Sequence, residues 1–271
     1  MLLEPRDDSR LKAITETLGA NDVIQISTSR SKAVTDLVVA MEQGNDLGNV
    51  ELLTDGATVS NLRDDFLTST KVAEFVSEDV LEVRSQDTTV PTLLITEDTV
   101  TAITGFPEAT QTVLRTTDES FLGDASDSFT TWFENASPVR LRKPQYSTLF
   151  EELESRFDED VLTDFKTGLH TAQDEASPQL RINPVLISLL VAAKHELQFY
   201  DISRWGENTN LASRATYSRM KNALEDAALI DNEPVRHQVG RPRHQLVLAG
   251  ALSETTDIEV LIASADSQVS I

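Results

Sequence analysis

Residues 201–228, DISRWGENTNLASRATYSRMKNALEDAA, encode two helices and the turn between them, and the reading of the whole chain follows from them. Asp201 is a capping residue, Ile202 and Trp205 turn inward on the first helix, and Gly206 lies near its end. The turn runs through Asn208, Thr209, Asn210 and Leu211. Ser213 caps a second helix, Arg214 to Ala228, because its hydroxyl accepts from the N–H groups that a helix start leaves unpaired. Tyr217, Met220, Leu224 and Ala227 recur at helical spacing and form one inward stripe. The opposite face carries Ala215, Ser218, Arg219 and Asn222, with Arg214 at the N-terminal flank and Lys221 near the edge of the stripe.

Upstream, Asn183-Pro184 starts a further helix, with Asn as cap and Pro at the first helical position. Val185, Leu186, Ile187, Leu189, Leu190 and Val191 make that helix apolar nearly all round, too short for a membrane span and suited to a core. Downstream of Leu229-Ile230 the pattern becomes extended, from Val235 to Val239 and from His244 to Leu248, around Gly240-Arg241-Pro242-Arg243. Three helices followed by a hairpin with two arginines at its tip predict a winged helix-turn-helix over 181–250, bound to double-stranded DNA. The predicted DNA contacts are Ser213, Arg214, Ala215, Ser218, Arg219, Lys221 and Asn222 in the major groove. Arg241, Arg243 and His244 act through the wing, along the backbone or in a minor groove. The alternative is a winged helix used for protein contact, docking to a transcription or repair complex. Alanine at Arg241 and Arg243 separates the two, since only the DNA reader loses its partner.

The segment Asp201–Arg243, with its Ser-Arg-Ala-Thr-Tyr-Ser-Arg helix start and basic wing, resembles the winged-helix domains of archaeal transcription regulators. In length, domain order and acidity the whole chain resembles the haloarchaeal TbsP family, which works beside the sugar-sensing regulator TrmB. That resemblance implies a transcription regulator of central sugar-metabolism genes acting at promoter sites, with a sugar phosphate as effector.

The charge bears on this directly: 23 Lys+Arg stand against 45 Asp+Glu, a formal net of -22. Such acidity suits a protein kept hydrated in molar salt, where self-repulsion is screened. Its distribution is uneven, because residues 181–250 hold nine Lys+Arg and seven Asp+Glu while the remainder holds 14 and 38. The segment with the helix-turn-helix pattern is the one relieved of negative charge. The absence of Cys excludes a disulfide framework, a Cys-based zinc site and a thiol nucleophile. No apolar run spans a bilayer and Met1–Asp8 lacks the pattern of a signal peptide, so the expectation is a cytoplasmic protein without a membrane partner. His195, His237 and His244 have no partner at helical spacing, so neither a metal site nor a cofactor is expected. His237 and His244 either face each other across the wing or contact phosphate. No Gly-rich phosphate loop, G-x-G-x-x-G, H-E-x-x-H or G-x-S-x-G is present, and the expectation is a non-enzyme.

The fold class predicted for the whole chain is α/β: an N-terminal mixed-sheet sensor with flanking helices, then the winged helix-turn-helix. Residues 9–18 predict a helix, 22–27 a strand, 31–44 a helix, 50–54 a strand and 57–75 one or two helices. Two such units predict a parallel core with right-handed crossovers. Short strands at 81–84, 92–96, 99–104 and 110–116 predict an antiparallel meander beside it, and helices follow at 120–135, 146–157 and 160–171. The predicted domains are 1–171 for the sensor, 172–180 for a polar, Pro-terminated linker, 181–250 for the winged helix and 251–271 for a tail forming a strand or a dimer contact. A homodimer is expected, paired through helices in 146–171 or through Ile258–Ile262.

The predicted effector site is the loop after the first strand, Thr28, Ser29, Arg30, Ser31 and Lys32, with Asp55 after the second. Hydroxyls, two cations and a helix start beyond the carboxyl end of a strand suit a small anion. The same residues also read as an ordinary Ser-rich capping loop, and Asp55-Gly56 as a turn. Arg140-Leu141-Arg142-Lys143-Pro144 is open to three readings: a second anion site, a contact to flanking DNA, or solvated surface.

Overall fold

The structure, a computed structural model, describes residues 14–16, 23–44, 48–104, 112–174, 183–235, 243–255 and 257–268, with 173, 174, 235, 243, 251 and 266–268 described as backbone alone. It divides into two units, Met1–Arg142 and Lys143–Ile271.

In the first unit β1 (Val23–Ser27), β2 (Asn49–Asp55) and β3 (Leu81–Gln86) lie side by side and parallel. The crossovers are α1 (Ser31–Gln43) and the pair α2 (Gly56–Asp64) and α3 (Phe66–Ser77). Both crossovers step the same way across the sheet, so all three helices cover one face. Ile24, Ile26, Val50, Leu52, Leu81 and Val83 meet Val34, Leu37, Val38, Met41, Leu62 and Val72 there. β4 (Leu93–Ile95), β5 (Val100–Thr104) and β6 (Thr112–Thr116) form an antiparallel meander joined to β1, and β7 (Ser137–Pro138) pairs with β3 at the other edge. The order is β6-β5-β4-β1-β2-β3-β7. On the far face α4 (Glu119–Asn135) sets Phe129 and Phe133 against Leu53, Ile95 and Val100. Side-chain alternation in the strands, Leu52 to one face and Leu53 to the other, feeds both layers.

The parallel core and the meander match the α/β expectation, with one reassignment. The strand read at 81–84 as the first of the meander runs over Leu81–Gln86 and is the third parallel strand, because α2 and α3 return the chain to the start of the sheet. The helix read at 9–18 lies mostly outside the described residues; within it 14–16 are helical and Ile14 is buried in the core.

The second unit begins earlier than the expected 171–181 boundary. α5 (Tyr146–Arg156) and α6 (Glu159–Asp174) belong with α7 (Pro184–Lys194), α8 (Phe199–Asn208) and α9 (Arg214–Asp226), not with the sheet. An aromatic chain joins them: Tyr146 tilts on Phe150, Phe150 on Phe165, and Phe165 meets Trp205 of α8 edge-on at 5.4 Å. Trp205 is fully buried and its indole N–H donates to the Leu149 carbonyl. At the α6–α7–α10 crossing sits Gly168, where a Cβ would stand 2.7 Å from Ile187 Cγ2 and 2.8 Å from Ile262 Cδ1. The tail is a helix, α10 (Ile258–Gln268), and no strand. Ile258, Leu261, Ile262 and Ala265 recur at helical spacing and are buried within this unit, as are Leu149, Phe150, Leu153, Phe165 and Leu169. The apolar faces proposed for dimer pairing are therefore largely spent inside one chain. Of the expected linker, 172–174 end α6, and 175–180 lie outside the described residues.

Candidate nucleic-acid interface and effector loop

α7 is buried along Val185–Ala193, capped by Asn183, whose side chain accepts from the Val185 and Leu186 N–H groups. α8 starts at Phe199 with Gln198 at the cap position, three residues before the expected cap Asp201, which sits in its first turn. There its carboxylate faces the positive end of the helix. Ser213 caps α9 as expected, its Oγ accepting from Thr216 N–H at 3.2 Å.

Tyr217, Met220 and Leu224 bury the inner face of α9. Tyr217 packs onto Gly206, and its hydroxyl is hydrogen-bonded to Ser188 Oγ at 3.0 Å, tying α9 to α7 and α8 at once. Burial pushes the Tyr217 phenol far up from its ordinary pKa, with the Ser188 bond opposing, so it stays neutral. The inner face thus fixes how the outer face is presented.

On that outer face Arg214, Ala215, Ser218, Arg219 and Asn222 are all exposed. Arg219 donates loosely to Thr216 Oγ1 at 3.4 Å. Lys221 is elsewhere: its ammonium is 2.5 Å from Glu225 Oε1 and 5.7 Å from the centre of the Phe199 ring, held against the protein. Ser213 is committed to its cap. Of the seven contacts expected on this helix and its cap, five share the exposed outer face, while Ser213 and Lys221 are engaged within the protein.

Two neighbours of this face were missed from sequence. Tyr200, 54% exposed, and Arg204 project from α8 on the side away from Ile202 and Trp205. The guanidinium carbons of Arg204 and Arg214 lie 6.0 and 5.7 Å from the Tyr200 ring centre, and Arg214 Nε is 2.6 Å from Glu207 Oε2. The 200, 204, 207 spacing was the available signal: it is one helical face, opposite the apolar one.

The wing is β8 (Ile230–Val235) paired antiparallel with β9 (Arg243–Leu248), extended by a bridge from Gln198 to Gln245. The first wing strand begins at Ile230, five residues before the expected Val235. Arg241 and His237 lie outside the described residues, and Arg243 is placed by its backbone in β9. His244 is exposed opposite Pro234. His195 is not on the surface set: its Nε2 lies 2.5 Å from Asp164 Oδ2, which also takes Lys194 Nζ at 2.6 Å, so this trio clips α7 to α6.

In the first unit the expected effector residues converge at the carboxyl ends of β1 and β2. Most of their hydroxyls are used internally: Thr28 with Thr92 at 2.9 Å, Ser29 accepting from Val90 N–H at 2.7 Å, Ser31 accepting from Asn61 at 3.0 Å. Asp55 caps α2 through Thr58 N–H at 2.7 Å. Burial pushes the Asp55 carboxyl up, but the backbone and side chain of Thr58, the Ser29 hydroxyl and the Ala57 N–H outweigh it and hold the group below the usual carboxylate range. What faces outward is Lys32, exposed, with Arg30 half-buried at the start of α1. In the 140–144 cluster Arg140 and Arg142 are exposed while Leu141 packs on the sheet core.

Among the described residues no group of His, Asp or Glu is arranged to hold a metal ion, and no helix is long and apolar enough to cross a membrane. Across the whole second unit 12 Lys+Arg meet 20 Asp+Glu, so the charge relief belongs to the helix-turn-helix segment, and α5 and α6 carry much of the excess acid.

Two family models cover the chain: the N-terminal domain of TbsP-like transcriptional regulators matches residues 6–144, and their C-terminal HTH domain matches residues 145–266. They meet within two residues of the division between the structural units. No curated protein matches the sequence. Among solved structures, TrmBL2, described as an archaeal chromatin protein with a novel mode of DNA binding, aligns at 19% identity and a TM-score of 0.37, over 49% of this chain and 51% of its own.

Proposed function

The chain belongs to the TbsP-like family of transcriptional regulators, and from that premise we propose that it reads duplex DNA at promoter sites with the outer face of α9. The observation that carries this is the two-sided character of α9, an inner face locked on α7 and α8 and an outer face of small, amide and guanidinium side chains. Arg219 and Asn222 address base edges, Arg214 and Ser218 address the groove wall, and Arg241, Arg243 and His244 follow the backbone from the wing. The protein is a non-catalytic regulator working in the cytoplasm of a halophilic archaeon. Its net charge of -22 supports the high-salt setting. It pairs as a homodimer to read two half-sites.

The first unit takes a small anion, a sugar phosphate by its expected role beside TrmB in central sugar metabolism. The loop hydroxyls and Asp55 serve internal bonds, and exposed Lys32 with the positive end of α1 supplies the recognition, Arg30 standing beside them at the cap position. Arg219→Ala tests the DNA reading. It weakens operator binding by about 1–3 kcal/mol with relaxed preference at one base pair if Arg219 reads a guanine, and uniformly across sequences if it holds a phosphate. Unchanged affinity for every duplex overturns the placement of α9 in the groove.

A further inference from the structure

We infer that α8 carries a phosphate clamp made of Tyr200 and Arg204, completed by Arg214, with Glu207 as the carboxylate that a DNA phosphate displaces. This rests on the proposal that α9 enters the major groove. In a helix-turn-helix docked that way the preceding helix crosses the sugar-phosphate backbone where the recognition helix begins. Here that corner holds two guanidiniums about one exposed phenol ring, 6.0 and 5.7 Å from its centre. The ring does more than fill space: it gathers two exposed guanidiniums on one side chain, and the guanidinium fork matches phosphate oxygens. The Tyr200 hydroxyl lies 3.5 Å from Arg204 Nη1, too long a hydrogen bond to align the guanidinium, so the ring face is what places Arg204.

Glu207 is the informative member. Its Oε2 lies 2.6 Å from Arg214 Nε, and both side chains are close to half exposed. A pair of that kind contributes little to folding and exchanges readily. A carboxylate at a phosphate-binding corner also repels the ligand. Glu207 therefore fixes Arg214 in the free protein and competes with phosphate in the complex, which lowers sequence-independent affinity and leaves discrimination to the outer face of α9.

The test is fluorescence anisotropy of the full chain on a labelled mixed-sequence duplex across a KCl series, since phosphate contacts do not depend on sequence. Arg204→Ala is expected to weaken binding about tenfold and to reduce the slope of log K against log salt by about 0.9, one phosphate fewer. Tyr200→Ala weakens binding, and Tyr200→Phe restores it, because the ring and not the hydroxyl aligns the cations. Glu207→Gln tightens binding about fivefold, the scale of one removed like charge near a phosphate in water. Arg156→Ala on α5, an arginine paired with Glu152, serves as control and leaves affinity unchanged. If wild type binds and Arg219→Ala weakens binding to the operator, while Arg204→Ala and Glu207→Gln keep the wild-type affinity and slope on the mixed-sequence duplex, the clamp is overturned and the DNA reading stands. Weaker binding by Glu207→Gln overturns its role as competitor. If wild type binds no duplex at any salt, both the clamp and the DNA reading fall.

Discussion

Replacing Gly206 with Ala tests whether the contact between α8 and Tyr217 sets the pose of α9. A Cβ there would fall 2.5 Å from Tyr217 Cζ and nearer still to Cε2 and the hydroxyl, a distance real Cβ atoms do not adopt. The ring is fully buried and cannot swing into solvent, so α9 must shift or the hydroxyl must leave Ser188. Overpacking of this kind costs about 1–3 kcal/mol, and losing the Ser188 bond about 0.5–1.5 kcal/mol more. Against this, Ala is a better helix former than Gly by up to about 1 kcal/mol. The net expectation is a loss of about 1–3 kcal/mol. The chain has two tryptophans, exposed Trp132 on α4 and buried Trp205 on α8, so urea unfolding in molar KCl on a Trp132→Phe background reports the second unit alone. Tyr217→Phe alone should cost about 1 kcal/mol, because Ser188 Oγ keeps its bond to the Val185 carbonyl. The double variant Gly206→Ala/Tyr217→Phe should lose less than the sum, since the absent hydroxyl was one of the clashing atoms. Stability of Gly206→Ala within about 0.5 kcal/mol of wild type, together with full additivity, refutes the reasoning.

Gly168→Ala drives a methyl group into Ile187 and Ile262 and should destabilise the second unit by about 1–3 kcal/mol on the same Trp205 signal; Ile262→Val added to it should recover part of the loss, and no change in midpoint contradicts the close three-helix crossing. Asp55→Ala should cost about 1 kcal/mol at neutral pH through loss of the α2 cap, read from the transition that Trp132 emission reports. Because the folded Asp55 carboxyl sits below its ordinary value, its contribution is present above about pH 4 and lost as pH falls through the folded value. The gap between wild type and Asp55→Ala should therefore narrow in acid, and a gap that stays constant down to about pH 2 would rule out a depressed carboxyl as its source.

Much of this fold is local and was readable as such. Asn183 and Ser213 cap where their chemistry says they do, and the Tyr217, Met220, Leu224 stripe is buried as its spacing requires. The unreadable part is long-range. Nothing in residues 146–174 alone says that Phe150 and Phe165 stack toward Trp205, so these helices looked like an end to the sensor. The polar, Pro-terminated run after them strengthened that impression. Ile258–Ile262 looked strand-like because five residues of mostly branched character were read without Ala265, which completes the helical spacing. At the interface, the outer residues of α9 followed from periodicity, whereas the pairing of Lys221 with Glu225 and of Arg214 with Glu207 depends on rotamers and on the approach of α8. At the effector loop the sequence showed four hydroxyls, on Ser27, Thr28, Ser29 and Ser31; only tertiary hydrogen bonds to Pro91, Thr92, Val90 and Asn61 show that they are already engaged.

DNA recognition by α9 is measured most directly by capture of pooled genomic duplex fragments by the full chain in molar KCl, beside Arg219→Ala, with and without a panel of sugar phosphates. Enrichment of a small set of promoter fragments by wild type, lost in the variant and altered by one sugar phosphate, is the predicted result. Equal recovery of all fragments, or none, by both proteins under every condition would contradict it.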